Sequence, residues 1–259
     1  MKPGDRFTLT SVVDRYHLPP DYPGAVLEAL LESGPRRVLD FGCGPGKLSY
    51  LLAPHVEEVV AVDLSAAMLA RARGDERDDA NISWVEANVD TYVIPGVFDL
   101  VTAGASIHWF DHDRLLPGLA GHLAPAGRLA VINGDSAFNP PWGADELAIM
   151  KTVQLRINEE RPAWVDTVRY PTRLEETLLV HPMFASDGIR HFGPHTVSQT
   201  VDDYIETFFS RQAFALDCMP GDAADWFRNE MRHLLQPHAV SGLLTFDVMV
   251  AFETGVPGG

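Results

Sequence analysis

Val38-Leu39-Asp40-Phe41-Gly42-Cys43-Gly44-Pro45-Gly46 joins a short apolar run to three glycines spaced two residues apart. An apolar run closed in this way predicts a buried strand that turns sharply, and residues 47–53 predict a helix that stops before Pro54. Upstream, Val26, Leu27, Leu30 and Leu31 make a helical stripe over 22–33, ended by Gly34-Pro35. Downstream, 59–62 reads as a second strand, and Ser65 is placed to N-cap a helix carrying Met68, Leu69 and Ala72. Strands follow at 82–85 and 98–103, then a helix over 112–123, and Pro125-Ala126-Gly127 turns into a fifth strand, 128–133. Strands alternating with helices at this spacing must run parallel, with helices on both faces. The fold class is α/β, a doubly wound sheet.

After Gly134 the pattern changes. Helices are expected near 145–158 and 174–180, a strand over 189–198, helices over 201–215 and 223–235, and a last strand over 243–252. The final strands would complete the sheet as an antiparallel edge pair, with the helical insertion 135–185 as a lid and the terminal GVPGG frayed. The expected domains are therefore a core of 1–134 with N-terminal cap helices, the lid insertion, and 186–259 completing the sheet.

Composition sets limits on function. In 259 residues, 20 Lys and Arg face 36 Asp and Glu, a net charge of −16, which gives no basic field for nucleic acid or anionic lipid. Only 3 of the 20 cations are Lys, so the remaining 17 are Arg, the residue suited to clamping a planar anion locally. Two cysteines, no apolar leader and no run of 18 apolar residues predict a cytoplasmic protein that engages neither nucleic acid nor membrane; oligomeric state is left open.

Glycines at 42, 44 and 46 let backbone approach a ligand, and Asp63, 17 residues after Gly46, ends the second strand where a carboxylate can hold a ribose diol. A dinucleotide site would use G-x-G-x-x-G and a P-loop G-x-x-x-x-G-K-[ST]; neither spacing is present. Asp40 would also be badly placed beside pyrophosphate, but well placed beside a cation.

D-F-G-C-G-P-G resembles the first motif of the class I S-adenosylmethionine-dependent methyltransferases, and A-V-D-L-S-A-A-M-L resembles their second. The likeness spans roughly residues 14–135. It implies a Rossmann-like, seven-stranded sheet, mostly parallel with the last strand antiparallel, and S-adenosyl-L-methionine as cofactor. It assigns to cofactor binding Asp40, Gly42, Cys43, Gly44 and Gly46 of the loop, Asp63, Leu64 and Met68 of the second motif, Asn88 and Val89 after the third strand, and Ala103 on the fourth. Asn88 stands where the family more often carries Asp. Asp21-Tyr22-Pro23 and Ala105-Ser106-Ile107-His108-Trp109-Phe110 resemble the trans-aconitate-methyltransferase-like branch, which adds Tyr22 to the cofactor set.

Methyl transfer needs no metal, and His191 and His195, separated by Gly193-Pro194, do not share a helical face with which to bind one, nor does His181 complete a set. A carboxylate acceptor is already nucleophilic, whereas a hydroxyl needs a base, for which His108 is the candidate. Trp109, Arg156, Arg161, Trp164 and Arg169 are candidate acceptor-binding residues, with Tyr170 and Arg173 in the same stretch. The expected activity is methylation of a small molecule, foremost on oxygen. Transfer to nitrogen or carbon, an inactive donor-binding regulator, and an NAD(P)-dependent oxidoreductase are the alternatives.

Overall fold

The computed structural model describes residues 5–74, 80–157, 178 and 180–258. Among these, seven strands form one sheet in the order β3-β2-β1-β4-β5-β7-β6. The first five are β1 (Arg37–Phe41), β2 (Glu58–Asp63), β3 (Ile82–Glu86), β4 (Phe98–Gly104) and β5 (Leu123–Asn133), followed by β6 (Phe184–Thr200) and β7 (Leu243–Pro257). β1 to β5 pair in parallel, and β7 runs antiparallel to β5. The doubly wound sheet with its antiparallel final strand is as the sequence predicts.

Apolar runs become central strands because both faces of a parallel sheet are covered. Successive residues of β1 and β2 alternate between two cores. Val38, Val59 and Ala61 pack with Leu30 of α2 (Gly24–Leu31), Leu52 of α3 (Lys47–Leu52) and Leu69 of α4 (Ala66–Arg73). Leu39, Val60 and Val62 pack on the other face with Leu115, Leu116 and Leu119 of α5 (His112–Ala120). A short α1 (Thr10–Val13) precedes these helices, and α6 (Gly143–Ile157), α7 (Val201–Thr207) and α8 (Ala223–Leu235) follow them.

The chain forms two compact units that are not sequential pieces of it. One comprises residues 21–135, 173–193 and 250–259, and the other residues 1–20, 136–172 and 194–249. The second unit has its own aromatic core, in which Tyr204, Phe208, Phe214, Phe227 and Phe246 meet edge to face or tilted. Buried Trp142 donates to Tyr204 Oη (3.1 Å), which donates to buried Glu146 (2.7 Å), so the polar ends of these rings are satisfied. Glu206 accepts from both Arg15 and Arg228, at 2.6 Å each, and so ties residues near the start of the chain to α7 and α8.

Several expectations need correction. The helix expected over 201–215 stops at Thr207 and continues as separate 3-10 turns. Pro125-Ala126-Gly127 is not a turn before the strand but an irregular part of β5, where a Cβ at Gly127 would lie 2.9 Å from both Ala124 N and Phe98 O. The helix expected over 174–180 lies outside the described residues apart from 178 and 180. Of the terminal GVPGG, the described residues 255–258 are not frayed: Gly255 pairs with Leu129, and Gly258 N donates to Met183 O (2.8 Å). Among the described residues no helix is long and apolar enough to cross a membrane.

Gly255 shows why the tail is ordered. A Cβ built there would sit 2.4 Å from Ala185 O and 2.6 Å from Phe184 Cζ, the former a backbone atom of β6 that cannot swing aside. Replacing Gly255 with Ala is expected to destabilise the fold by about 1–3 kcal/mol through overpacking. Urea unfolding checks this, since a midpoint equal to that of the parent would mean that β6 yields freely.

Candidate functional site

The site is built where β1, β2 and β4 end. Gly42, Gly44 and Gly46 all have positive φ (64°, 53° and 85°), so the loop between β1 and α3 is left-handed at every second residue. Two of the three positions also require the missing side chain on packing grounds. A Cβ at Gly42 would lie 2.6 Å from Ser106 Cβ, and one at Gly46 would lie 2.5 Å from the Trp84 ring. Gly42 N and Cys43 N both donate to Val62 O, which anchors the loop to the end of β2.

Two carboxylates flank this loop. Asp40 is 1% exposed; its Oδ2 accepts from Ser49 Oγ (2.6 Å) and its Oδ1 from Thr102 Oγ1 (2.7 Å). β4 places Thr102 directly opposite Asp40 in register, so the strand pairing itself delivers the hydroxyl. Burial pushes the Asp40 carboxyl up to about 6 against the pull of both hydroxyls, and the negative charge of Asp63 adds to the rise. Asp63 accepts from Gly44 N through Oδ2 and from Ser65 N through Oδ1, each at 2.8 Å. Burial raises its carboxyl as well, with those two N–H groups opposing. Each Asp63 oxygen accepts one backbone N–H and keeps further lone-pair capacity for a donor such as a diol.

The other predicted residues distribute as follows. Cys43 is buried, and burial together with Asp40 and Asp63 pushes its thiol well up, so it lines the loop as a neutral thiol rather than a nucleophile. Leu64, directly after Asp63, is 47% exposed, while Met68 is fully buried on α4. Ala87 N donates to Asp63 O (3.0 Å), bringing the end of β3 beside Asp63; there Asn88 Oδ1 accepts from Asp90 N (2.9 Å) and Val89 packs into the core. Ala103 is buried within β4. Tyr22 lies over the end of β4, its Oη 2.7 Å from where a Cβ on Gly104 would be, and its neighbour Asp21 pairs with Lys47 Nζ (3.3 Å) at the start of α3. His108 and Trp109 share a 3-10 turn after β4, with ring centroids 4.5 Å apart.

Arg156 belongs to the other compact unit, where its guanidinium lies 4.0 Å from the centroid of the Trp226 ring. Arg161, Trp164, Arg169, Tyr170 and Arg173 lie outside the described residues. His191 and His195 fall on β6.

Sequence reasoning missed Ser49, Thr102 and Ser106. For Thr102 a signal existed, because a hydroxyl within the buried apolar stretch 100–103 needs a polar partner.

Residues 38–127 match the model of a methyltransferase domain family. A trans-aconitate 2-methyltransferase of Methylobacterium nodulans is 33% identical over 174 residues, covering 61% of this chain and 66% of that one. One from Rhodopseudomonas palustris is 37% identical over 151 residues, covering 52% of this chain and 57% of its own length. An uncharacterised methyltransferase of Mycobacterium bovis is 38% identical over 110 residues, covering 42% of this chain and 55% of its own length. The chain thus spans between about half and two-thirds of these relatives. Among solved structures, a chain from Anaeromyxobacter dehalogenans assigned as a type II methyltransferase superposes with a TM-score of 0.61 at 20% identity, covering 92% of this chain and 98% of that one. The YcgJ protein of Bacillus subtilis gives 0.52 at 16%, covering 94% and 99%. At those identities the likeness is one of fold.

The lifted carboxyl of Asp40 has a consequence for stability. Its pKa rises from 3.8 to about 6 on folding, so the native state favours the protonated form. The associated stability is complete below the unfolded value and is lost as pH rises through 6, amounting to roughly 3 kcal/mol. Asp40→Asn keeps a partner for both hydroxyls without the charge. Its melting temperature relative to the parent is therefore expected to rise between pH 4 and pH 8, and a constant difference would show that Asp40 is not charged at a cost.

Proposed function

From the methyltransferase domain that residues 38–127 form, we propose that this chain transfers a methyl group from S-adenosylmethionine to oxygen of a small acceptor, a carboxylate foremost. The observation that carries the reading is the pair of partly or fully buried carboxylates, Asp40 and Asp63, on either side of a loop too tight for side chains. Pyrophosphate would add negative charge to that pair. A sulfonium and an ammonium with a ribose diol bring positive charge and hydroxyl donors instead.

When bound, S-adenosylmethionine supplies a methyl group on a positively charged sulfur, displaced in line by the acceptor. The chain's own residues hold and orient. Asp63, fixed by Gly44 N and Ser65 N, would accept from the ribose hydroxyls. Asp40, beneath the loop, would balance the cationic end of the donor, with Ser49 and Thr102 keeping its oxygens in place. Leu64 offers an exposed apolar side chain beside Asp63 for the purine, and the polar edge of Asn88 lies on the same border. Alignment of nucleophile, methyl and sulfur can by itself be worth roughly 7–11 kcal/mol.

The preference for a carboxylate acceptor is supported by the relatives named trans-aconitate 2-methyltransferase, whose named acceptor is a carboxylate. A carboxylate attacks without a base. The His108–Trp109 turn beyond β4 would then form the acceptor side of the site, and His108 would become a base only for a hydroxyl.

Titration calorimetry with S-adenosylmethionine, its demethylated product and NAD separates the donor site from a dinucleotide site. Binding of the first two and not the third is expected, and binding of NAD alone would overturn the reading. Labelled donor with a panel of small di- and tricarboxylates, trans-aconitate included, and small phenols then tests transfer. His108→Gln is expected to lower kcat less than threefold on a carboxylate and tenfold or more on a hydroxyl, with donor affinity unchanged. Parallel losses of donor affinity and turnover would remove His108 from the acceptor side.

A further inference from the structure

The backbone between β4 and the His108–Trp109 turn is bent in a way that costs energy. Ala105 has φ +50°, a left-handed conformation that a residue with a Cβ adopts at a cost, and it is held there by its N–H donating to Ile132 O (2.8 Å) on β5. This bend carries Ser106 beneath the glycine loop. Ser106 is 5% exposed, and its Oγ donates to Phe41 O (2.8 Å), the last carbonyl of β1 before Gly42. The space that a side chain at Gly42 would fill is occupied by Ser106 Cβ and Oγ and by the Phe110 ring. From Ser106 the turn builds outward, with Trp109 N donating to Ser106 O (2.9 Å) and Phe110 N to Ile107 O (3.2 Å). Phe110 returns to meet Phe41 edge to face at 6.4 Å. One hydroxyl thus joins the roots of two loops, that of 42–46 and that of 106–110.

The two β4-side hydroxyls act on neighbouring β1 residues but on different groups. Thr102 holds the Asp40 side chain, which belongs to the donor pocket. Ser106 holds the Phe41 backbone and, through its own carbonyl, the turn bearing His108 and Trp109.

We propose that Ser106 is a positioning residue for methyl transfer: through its bond to the Phe41 carbonyl it fixes the separation between the donor-holding glycine loop and the His108–Trp109 turn. The proposal rests on the methyltransferase reading above and adds to it a residue that touches neither donor nor acceptor. In-line displacement requires the reacting atoms to be held about 3–3.5 Å apart, so a loosened turn costs turnover before it costs binding.

The test compares Ser106→Ala with Thr102→Val in the full chain. Donor Kd is measured by calorimetry with S-adenosylmethionine, kcat and KM are measured with the best acceptor of the panel, and amide exchange is followed by mass spectrometry. For Ser106→Ala the donor Kd is expected to stay within threefold of the parent while kcat falls tenfold or more and the amides of Trp109 and Phe110 exchange at least tenfold faster. Thr102→Val is expected to do the reverse, weakening donor binding more than turnover at saturation. Ser106→Ala with parental kcat, with unchanged exchange at 109–110, or with a donor Kd that rises as far as kcat falls would each overturn the positioning role. A parent that binds no S-adenosylmethionine would overturn the methyltransferase reading itself and this inference with it, an outcome distinct from any change confined to the variant.

Discussion

Burial of the Asp40 carboxylate at the carboxyl end of β1 is the constraint to which the rest of the site answers. A carboxylate removed from water must be hydrogen-bonded, neutralised or faced with positive charge. Here two hydroxyls from different elements supply the bonds, Ser49 from α3 and Thr102 from β4, and they hold both oxygens in fixed directions. Those bonds lower the carboxyl pKa, but burial and the nearby charge of Asp63 win, leaving it near 6. The folded chain therefore keeps a group that is only partly content with its charge. That electrostatic deficit is a reason for a cationic ligand to bind, and a reason for the protein to be less stable without one.

The glycine loop translates the same constraint into shape. Its three positive-φ residues fold the backbone over Asp40, and Gly44 N turns toward Asp63. Side chains from three directions then close around the loop: Ser106 and Phe110 under Gly42, the Trp84 ring against Gly46, and Tyr22 with Leu48 over Gly104 at the end of β4. A site made mostly of backbone and packed around in this way is rigid. Rigidity suits a reaction whose main demand is alignment rather than proton traffic.

The central strands and the loop were legible in the sequence because both follow from local rules. The central strands β1, β2 and β4 are largely apolar runs since both their faces are buried, and the helices between strands show as stripes or as short runs bounded by Ser, Gly and Pro. Asp40, Asp63 and the glycines stand out because residues of those kinds rarely follow such runs without a reason. Ser49 and Ser106 did not stand out, since a serine in a first helical turn or in the loop after a strand is ordinary; only their partners make them notable. The irregular start of β5 was misread for a related reason. Pro125-Ala126-Gly127 has turn composition, but pairing of Leu123 with Phe98 pulls the segment into the strand.

The sequence by itself determined the α/β sheet, its parallel central strands and the two acidic positions around the loop, because hydrophobic period and glycine stereochemistry act over a few residues at a time. Tertiary structure alone decided that Phe41 and Ser106, 65 positions apart, share a hydrogen bond, and that Arg15 and Glu206, 191 apart, share an ion pair. It alone decided, too, that Gly255 belongs to the last strand, because β6 passes where a side chain would otherwise go. Contacts across such separations leave no periodic trace in the chain. They arise when apolar faces seek cover and bring distant polar groups within reach, a choice made by the whole core rather than by any one segment.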